Sequence, residues 1–179
     1  MASSLRTVFI LSLGLSLLFT PTLAGIALIR DTCKYATVHR NLCFQVLLSK
    51  RESQRADAQG LAKIALKIAH DNASKLSAEL VELHDKAEDM SDLQQCLEEC
   101  LRQYEDAMEQ LDDASVAVDT RKYREAAQWV SVAQGDVRLC QVGCKSVPEY
   151  KNMLTKQNSN VGRLCSITAS ILRSLAVKH

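Results

Sequence analysis

From residue 56 onward, apolar side chains return every three or four positions in four successive stretches, the period of amphipathic helices packed on a common core. The first runs over about 56–87 and carries Leu61, Ile64, Ala65, Ile68, Leu76, Leu80 and Leu83. The second starts after Ser91, a residue type suited to an N-cap, and aligns Leu93, Cys96, Leu97, Cys100, Tyr104, Met108, Leu111 and Val118. The third, about 122–146, aligns Tyr123, Ala127, Val130, Val137, Cys140 and Cys144, with Gly135 and Gly143 weakening it. The last begins near Pro148, well placed for a first helical turn, and aligns Leu154, Val161, Leu164, Ile171, Leu172 and Leu175. Short connections between long amphipathic helices predict an up-down-up-down four-helix bundle over 56–177. Upstream, residues 25–50 read as an α-hairpin, two short helical segments meeting at Thr37-Val38-His39. The polar run Ser49–Arg55 reads as a linker.

Composition supports an all-α domain and trims the chain at one end. Arg6 followed by the apolar run Val8–Phe19, then Thr22-Leu23-Ala24, has the grammar of a secretory signal peptide over residues 1–24, cut before Gly25. That run is too short to span a bilayer, and no later stretch is long enough, so no membrane partner is expected after cleavage. About 155 residues then remain, enough for one domain with one core. Arg6 is the only charge in the leader, so removing it from 22 basic side chains leaves 21, matched by 21 acidic ones. A neutral balance gives no support for nucleic acid as a partner. After the leader there is one proline, Pro148, and one tryptophan, Trp129, in a background that favours helix over strand.

All seven cysteines follow the leader, which places them where disulfides persist. Cys33 and Cys43 flank the corner of the N-terminal hairpin, close enough to join its arms. Cys96/Cys100 and Cys140/Cys144 are two Cys-x-x-x-Cys pairs, each projecting from one helical face. Facing residues of an antiparallel helix pair share a constant index sum, and both 96 with 144 and 100 with 140 give 240. The centre of symmetry is then residue 120, inside the turn between the second and third helices. Stacked bridges Cys96–Cys144 and Cys100–Cys140 follow from that register. Zinc sites also use paired cysteines, but typically at Cys-x-x-Cys spacing in tight loops, and small mitochondrial chaperones bring their paired motifs much closer together. Cys165, the seventh, falls on the apolar face with Val161, Leu164 and Leu172. It reads as a buried free thiol, with an intermolecular bridge as the alternative.

Catalytic chemistry is not legible in this sequence. His39, His70, His84 and His179 are scattered, and no glycine-rich phosphate loop or nucleophile elbow is present. Acidic pairs such as Glu98/Glu99 and Asp112/Asp113 read as solvated helix faces, and a di-metal carboxylate bundle would need Glu-x-x-His motifs that are absent. No catalytic residue, metal ligand or cofactor is therefore assigned. Asn72-Ala73-Ser74 meets the N-glycosylation rule, but Asn72 falls between Ile68 and Leu76 on the apolar stripe. A glycan and a hydrogen-bonded residue facing the core are both open.

The ordered features resemble the plant invertase and pectin methylesterase inhibitor family over nearly the whole chain after the leader. The stretches that carry the resemblance are Asp31-Thr32-Cys33 through Asn41-Leu42-Cys43, Leu47–Ser53 leading into Asp57–Ala62, Cys100–Ala107, and Trp129–Ala133. The resemblance implies an α-hairpin on a four-helix bundle, with Cys33–Cys43 and Cys100–Cys140 as family bridges; Cys96 and Cys144 are additions to that pattern. It implies an inhibitor, not an enzyme; with the leader, secretion to the cell wall (apoplast) or the vacuole is expected, and a monomer. Members that block invertase often carry a Pro-Lys-Phe triplet at the start of the third bundle helix, which enters the target's active site. Arg121-Lys122-Tyr123 occupies that place here, keeping the lysine, exchanging the aromatic residue and lacking the proline. With Val132-Ala133-Gln134 and Val161–Cys165, which look more like fructosidase inhibitors, this makes plant acid invertase the expected protein target. Pectin methylesterase is the alternative, and a secreted binding bundle without an enzyme target is a third reading.

Overall fold

The computed structural model describes residues 23–178, so the signal-peptide expectation lies outside the described part except at Leu23 and Ala24, which open the first helix. Helix α1 (Leu23–Cys33), a 3-10 turn (Thr37–His39) and α2 (Arg40–Leu48) form the N-terminal hairpin. A second 3-10 turn (Arg51–Gln54) leads to the bundle helices α3 (Ala58–Lys86), α4 (Asp92–Asp119) and α5 (Tyr123–Gly143). The short α6 (Pro148–Met153) precedes the last bundle helix, α7 (Thr155–Lys178). The bundle closes as a ring in which α4 packs on α5, α5 on α7, α7 on α3 and α3 on α4, while the hairpin lies against α3 and α7. Among the described residues there is no strand, and no helix is long and apolar enough to cross a membrane.

Helix boundaries follow from local chemistry. Asp57 caps α3 by accepting a hydrogen bond from the Gly60 N–H at 2.7 Å, and Ser91 caps α4 by accepting from the Gln94 N–H at 3.1 Å. Caps of this type stabilise a helix by about 1 kcal/mol each. Met90, with φ 61°, turns the chain between α3 and α4, and its N–H donates to Gln94 Oε1 at 2.7 Å. Leu61, Leu80, Leu97, Leu111, Val118, Val130, Ile171 and Leu172 are fully buried and fill the ring's interior. One polar device crosses that core. Tyr104 Oη donates to Asn158 Oδ1 at 2.7 Å, and Asn158 Nδ2 donates to the Val137 carbonyl at 3.0 Å, tying α4, α7 and α5 together. Every buried polar atom in that chain has a partner, which is what makes it tolerable in an apolar interior.

Two expectations need correction. The last helix is not continuous: it breaks at Leu154, although no glycine or proline stands there. The short α6 instead seats Tyr150, 1% exposed, with its hydroxyl 3.3 Å from Cys140 Sγ. The Ser49–Arg55 linker is also folded. Its 3-10 turn buries Ser53 completely and comes so close to α1 that a Cβ on Gly25 would lie 2.0 Å from the Gln54 carbonyl oxygen. Only glycine permits that approach.

Candidate functional site

Three disulfides fix the frame that presents the site. Cys33–Cys43 joins α1 to α2 with Cα atoms 5.6 Å apart. Cys96–Cys144 and Cys100–Cys140 stack between α4 and α5, with Cα separations of 5.3 and 4.5 Å, in the register that the common index sum describes. Sulfurs of Cys96, Cys100 and Cys144 lie within 4.8 Å of one another, but each is oxidised in a bridge and has no thiolate to offer a metal. Cys165 is fully buried, and burial pushes its thiol up to about 12, so it stays protonated and unreactive. Asn72 is half-buried in the middle of α3, and its side-chain nitrogen donates to the Ile68 carbonyl at 2.8 Å. That nitrogen is the atom a glycan would need.

The ladder clamps one end of the α4–α5 hairpin. The turn at the other end lies about 30 Å away, at 1.5 Å per helical residue from Cys100. It closes as a Schellman motif: the Lys122 N–H donates to the Ala117 carbonyl at 2.8 Å and the Arg121 N–H to the Val118 carbonyl at 3.1 Å. The position that usually takes glycine in this motif is Arg121, with φ 59°. A side chain in this left-handed conformation costs about 1–2 kcal/mol. Neighbouring groups hold it there. Thr120 Oγ1 donates to the Val116 and Ala117 carbonyls at 3.1 and 3.2 Å, and Gln59 Nε2 reaches the Val118 carbonyl at 3.1 Å. Lys63 forms an ion pair with Asp119.

These bonds satisfy the Val116, Ala117 and Val118 carbonyls in the last turn of α4. The N-terminus of α5 has no side-chain cap, and the positive end of its dipole lies beside Arg121 and Lys122. Arg121 is exposed and has no carboxylate partner among the described residues. Lys122 is exposed, with its Nζ 3.4 Å from Glu125 Oε2. Tyr123 departs from the expected contact role: it is 4% exposed and supports the tip from within the bundle. A shallow hollow of about 540 Å³ borders Arg121, Lys122, Arg124 and Gln128. The tip therefore presents two exposed cations, Arg121 and Lys122, beside that hollow.

A second surface was not anticipated from the sequence. Trp129, Val132, Leu139 and Val142 stand on the outer face of α5, 36%, 48%, 56% and 49% exposed. Their spacing of three, seven and three residues was the available signal, hidden because the buried stripe of α5 has the same period.

The architecture is that of a disulfide-clamped four-helix bundle carrying an N-terminal α-hairpin, a scaffold built to present a rigid surface. The family described as “Plant invertase/pectin methylesterase inhibitor” matches residues 27–171, and the chain belongs to that family, whose members are named as inhibitors and not as enzymes. A protein named “Putative invertase inhibitor” from Platanus orientalis is 26% identical over 153 residues, covering 83% of this chain and 89% of that one. “Cell wall / vacuolar inhibitor of fructosidase 2” from Arabidopsis thaliana is 25% identical over 179 residues, covering 98% and 99%. In fold, the chain is similar to a pectin methylesterase inhibitor from Arabidopsis thaliana, with a TM-score of 0.64 at 21% identity, covering 82% of this chain and 95% of that one. A crystal structure of a mutant form of such an inhibitor gives a TM-score of 0.69 at 20% identity, over 83% and 95%.

Proposed function

We propose that this chain is a secreted, monomeric inhibitor of plant acid invertase and that the α4–α5 tip enters the sucrose-cleaving site. The carrying observation is the cation pair Arg121 and Lys122, projected from a hydrogen-bonded turn whose carbonyls are already satisfied. Glycoside hydrolases cleave with paired carboxylates. An arginine and a lysine at the positive end of the α5 dipole present the complementary charge, and desolvating such a pair in good geometry is strongly favourable. The names of the relatives from Platanus and Arabidopsis support the same target. The wall or the vacuole, where that enzyme class works, is the proposed destination.

The exposed apolar face of α5 favours a second reading, in which the bundle's flank covers the cleft of a pectin methylesterase. Titrating the oxidised protein in parallel against an acid invertase and a pectin methylesterase separates the two. The invertase reading expects loss of sucrose hydrolysis at stoichiometric inhibitor with esterase activity unchanged. The opposite outcome assigns the flank instead.

A further inference from the structure

The neutral overall charge conceals a strong division between faces. Helix α4 carries nine carboxylates and a single basic residue, Arg102, whereas Thr155–Lys178 contains no carboxylate at all. Between α5 and α7 runs a groove made of two cavities, of about 480 and 580 Å³, that meet at Ser131. Arg138 from α5 and Arg163 from α7 line the first; Arg124 from α5 and Arg173 from α7 line the second. All four arginines are exposed, none is in an ion pair among the described residues, and neither cavity is lined by a carboxylate. The two acids of α5 are engaged elsewhere, Glu125 with Lys122 and Asp136 beside Gln110 and Asp106 of α4.

The two levels of paired arginine are about 21 Å apart along α5, from fourteen residues at 1.5 Å each. Between them the lining changes to uncharged hydrogen-bonding groups, Gln128, Ser131 and Gln134, beside the bare backbone of Gly135, and beyond the Arg138–Arg163 level Gln141 and Ser159 close the end of the groove. Internal bonds make this floor rigid. Gln141 Nε2 donates to Ser159 Oγ at 3.1 Å, and Arg173 Nη2 to Ser131 Oγ at 2.7 Å. Guanidinium groups grip planar carboxylates through two parallel hydrogen bonds. Amides and hydroxyls suit sugar hydroxyls. No tyrosine, tryptophan or phenylalanine lines the groove for stacking nucleobases.

We infer that the α5–α7 groove is a binding site for an acidic oligosaccharide, a linear chain of uronic acid units long enough to reach both arginine pairs. One end of the groove adjoins the Arg121–Lys122 tip, since Arg124 and Gln128 border both, while the Arg138–Arg163 end lies about 21 Å away along α5; the inference does not depend on which enzyme that tip meets.

Calorimetric titration with oligogalacturonides, paired with amide NMR shifts, tests it. A long oligomer should bind with shifts concentrated on α5 and α7, and digalacturonate, which reaches one pair only, at least about tenfold more weakly. The methyl-esterified long oligomer should not bind. Arg138→Gln/Arg163→Gln should weaken the long oligomer at least about tenfold while leaving the melting temperature and enzyme inhibition unchanged. Should that variant melt early, Arg173→Gln alone supplies the same readout at the other level. No binding by the wild-type chain, equal binding of the esterified oligomer, unaltered affinity of a folded variant, or equal affinity for single-stranded RNA would each overturn the inference.

Discussion

Lys122 is not free in the isolated protein, and this gives the tip a prediction of opposite signs. Its Nζ lies 3.4 Å from Glu125 Oε2, with side chains 61% and 48% exposed. An exposed pair three residues apart on a helix is worth about 0.3–0.5 kcal/mol. Entering an acidic cleft requires Lys122 to leave that partner and carries Glu125 towards like charge. Glu125→Gln removes both penalties and should tighten inhibition of invertase by about twofold, since 0.4 kcal/mol is that factor at room temperature. Lys122→Ala removes a cation that would be desolvated in the complex and should weaken inhibition by at least about tenfold. The assay is steady-state sucrose hydrolysis against inhibitor concentration at two ionic strengths. The gain from Glu125→Gln should shrink at higher salt, because both charges are solvated. If Glu125→Gln and Lys122→Ala shift inhibition in the same direction, charge at the tip is not what the target reads.

Other expectations concern the frame. Tyr104→Phe strips Asn158 Oδ1 of its donor in a dry core and should cost about 1–3 kcal/mol in urea unfolding with disulfides intact. A change below about 0.5 kcal/mol would mean the polar chain contributes little. Asp136 is held above the usual aspartate range, mainly by desolvation, and its Oδ2 has no hydrogen-bond partner. A carboxyl raised on folding is least favourable when ionised, so Asp136→Asn should stabilise near neutral pH. That gain should fade as pH falls through the raised value and be gone below the ordinary aspartate value, and a gain independent of pH would contradict the assignment. The two ladder bridges close nested loops with sequence separations of 40 and 48, so either constrains the unfolded chain almost as well as both. Replacing one pair by alanine should cost little, and replacing both should cost about 4 kcal/mol. Additive losses in thermal unfolding would refute that view.

What the sequence made legible was the periodic and the symmetric. The four long helices announced themselves through apolar spacing and through caps such as Ser91. The α4–α5 register was readable because four cysteines share one index sum. Features that depend on contacts distant in sequence were hidden. The break at Leu154 has no local breaker and reflects the seating of Tyr150 beside Cys140. Ser53 looks like linker composition, yet the close approach of α1 at Gly25 encloses the turn that holds it. At the tip, the position of Arg121 and Lys122 could be read, but not the burial of Tyr123: an aromatic residue beside a turn serves a contact or a core equally well until packing decides. The arginine pairs of the α5–α7 groove come from separate helices, and no local pattern joins Arg138 to Arg163.

Competition with substrate tests the central claim most directly. If the Arg121–Lys122 tip occupies the invertase active site, the apparent inhibition constant of the wild-type protein must rise in proportion to sucrose concentration above KM, and Lys122→Ala must show the same dependence from a weaker starting value. An inhibition constant indifferent to sucrose would place the contact outside the cleft and contradict the account.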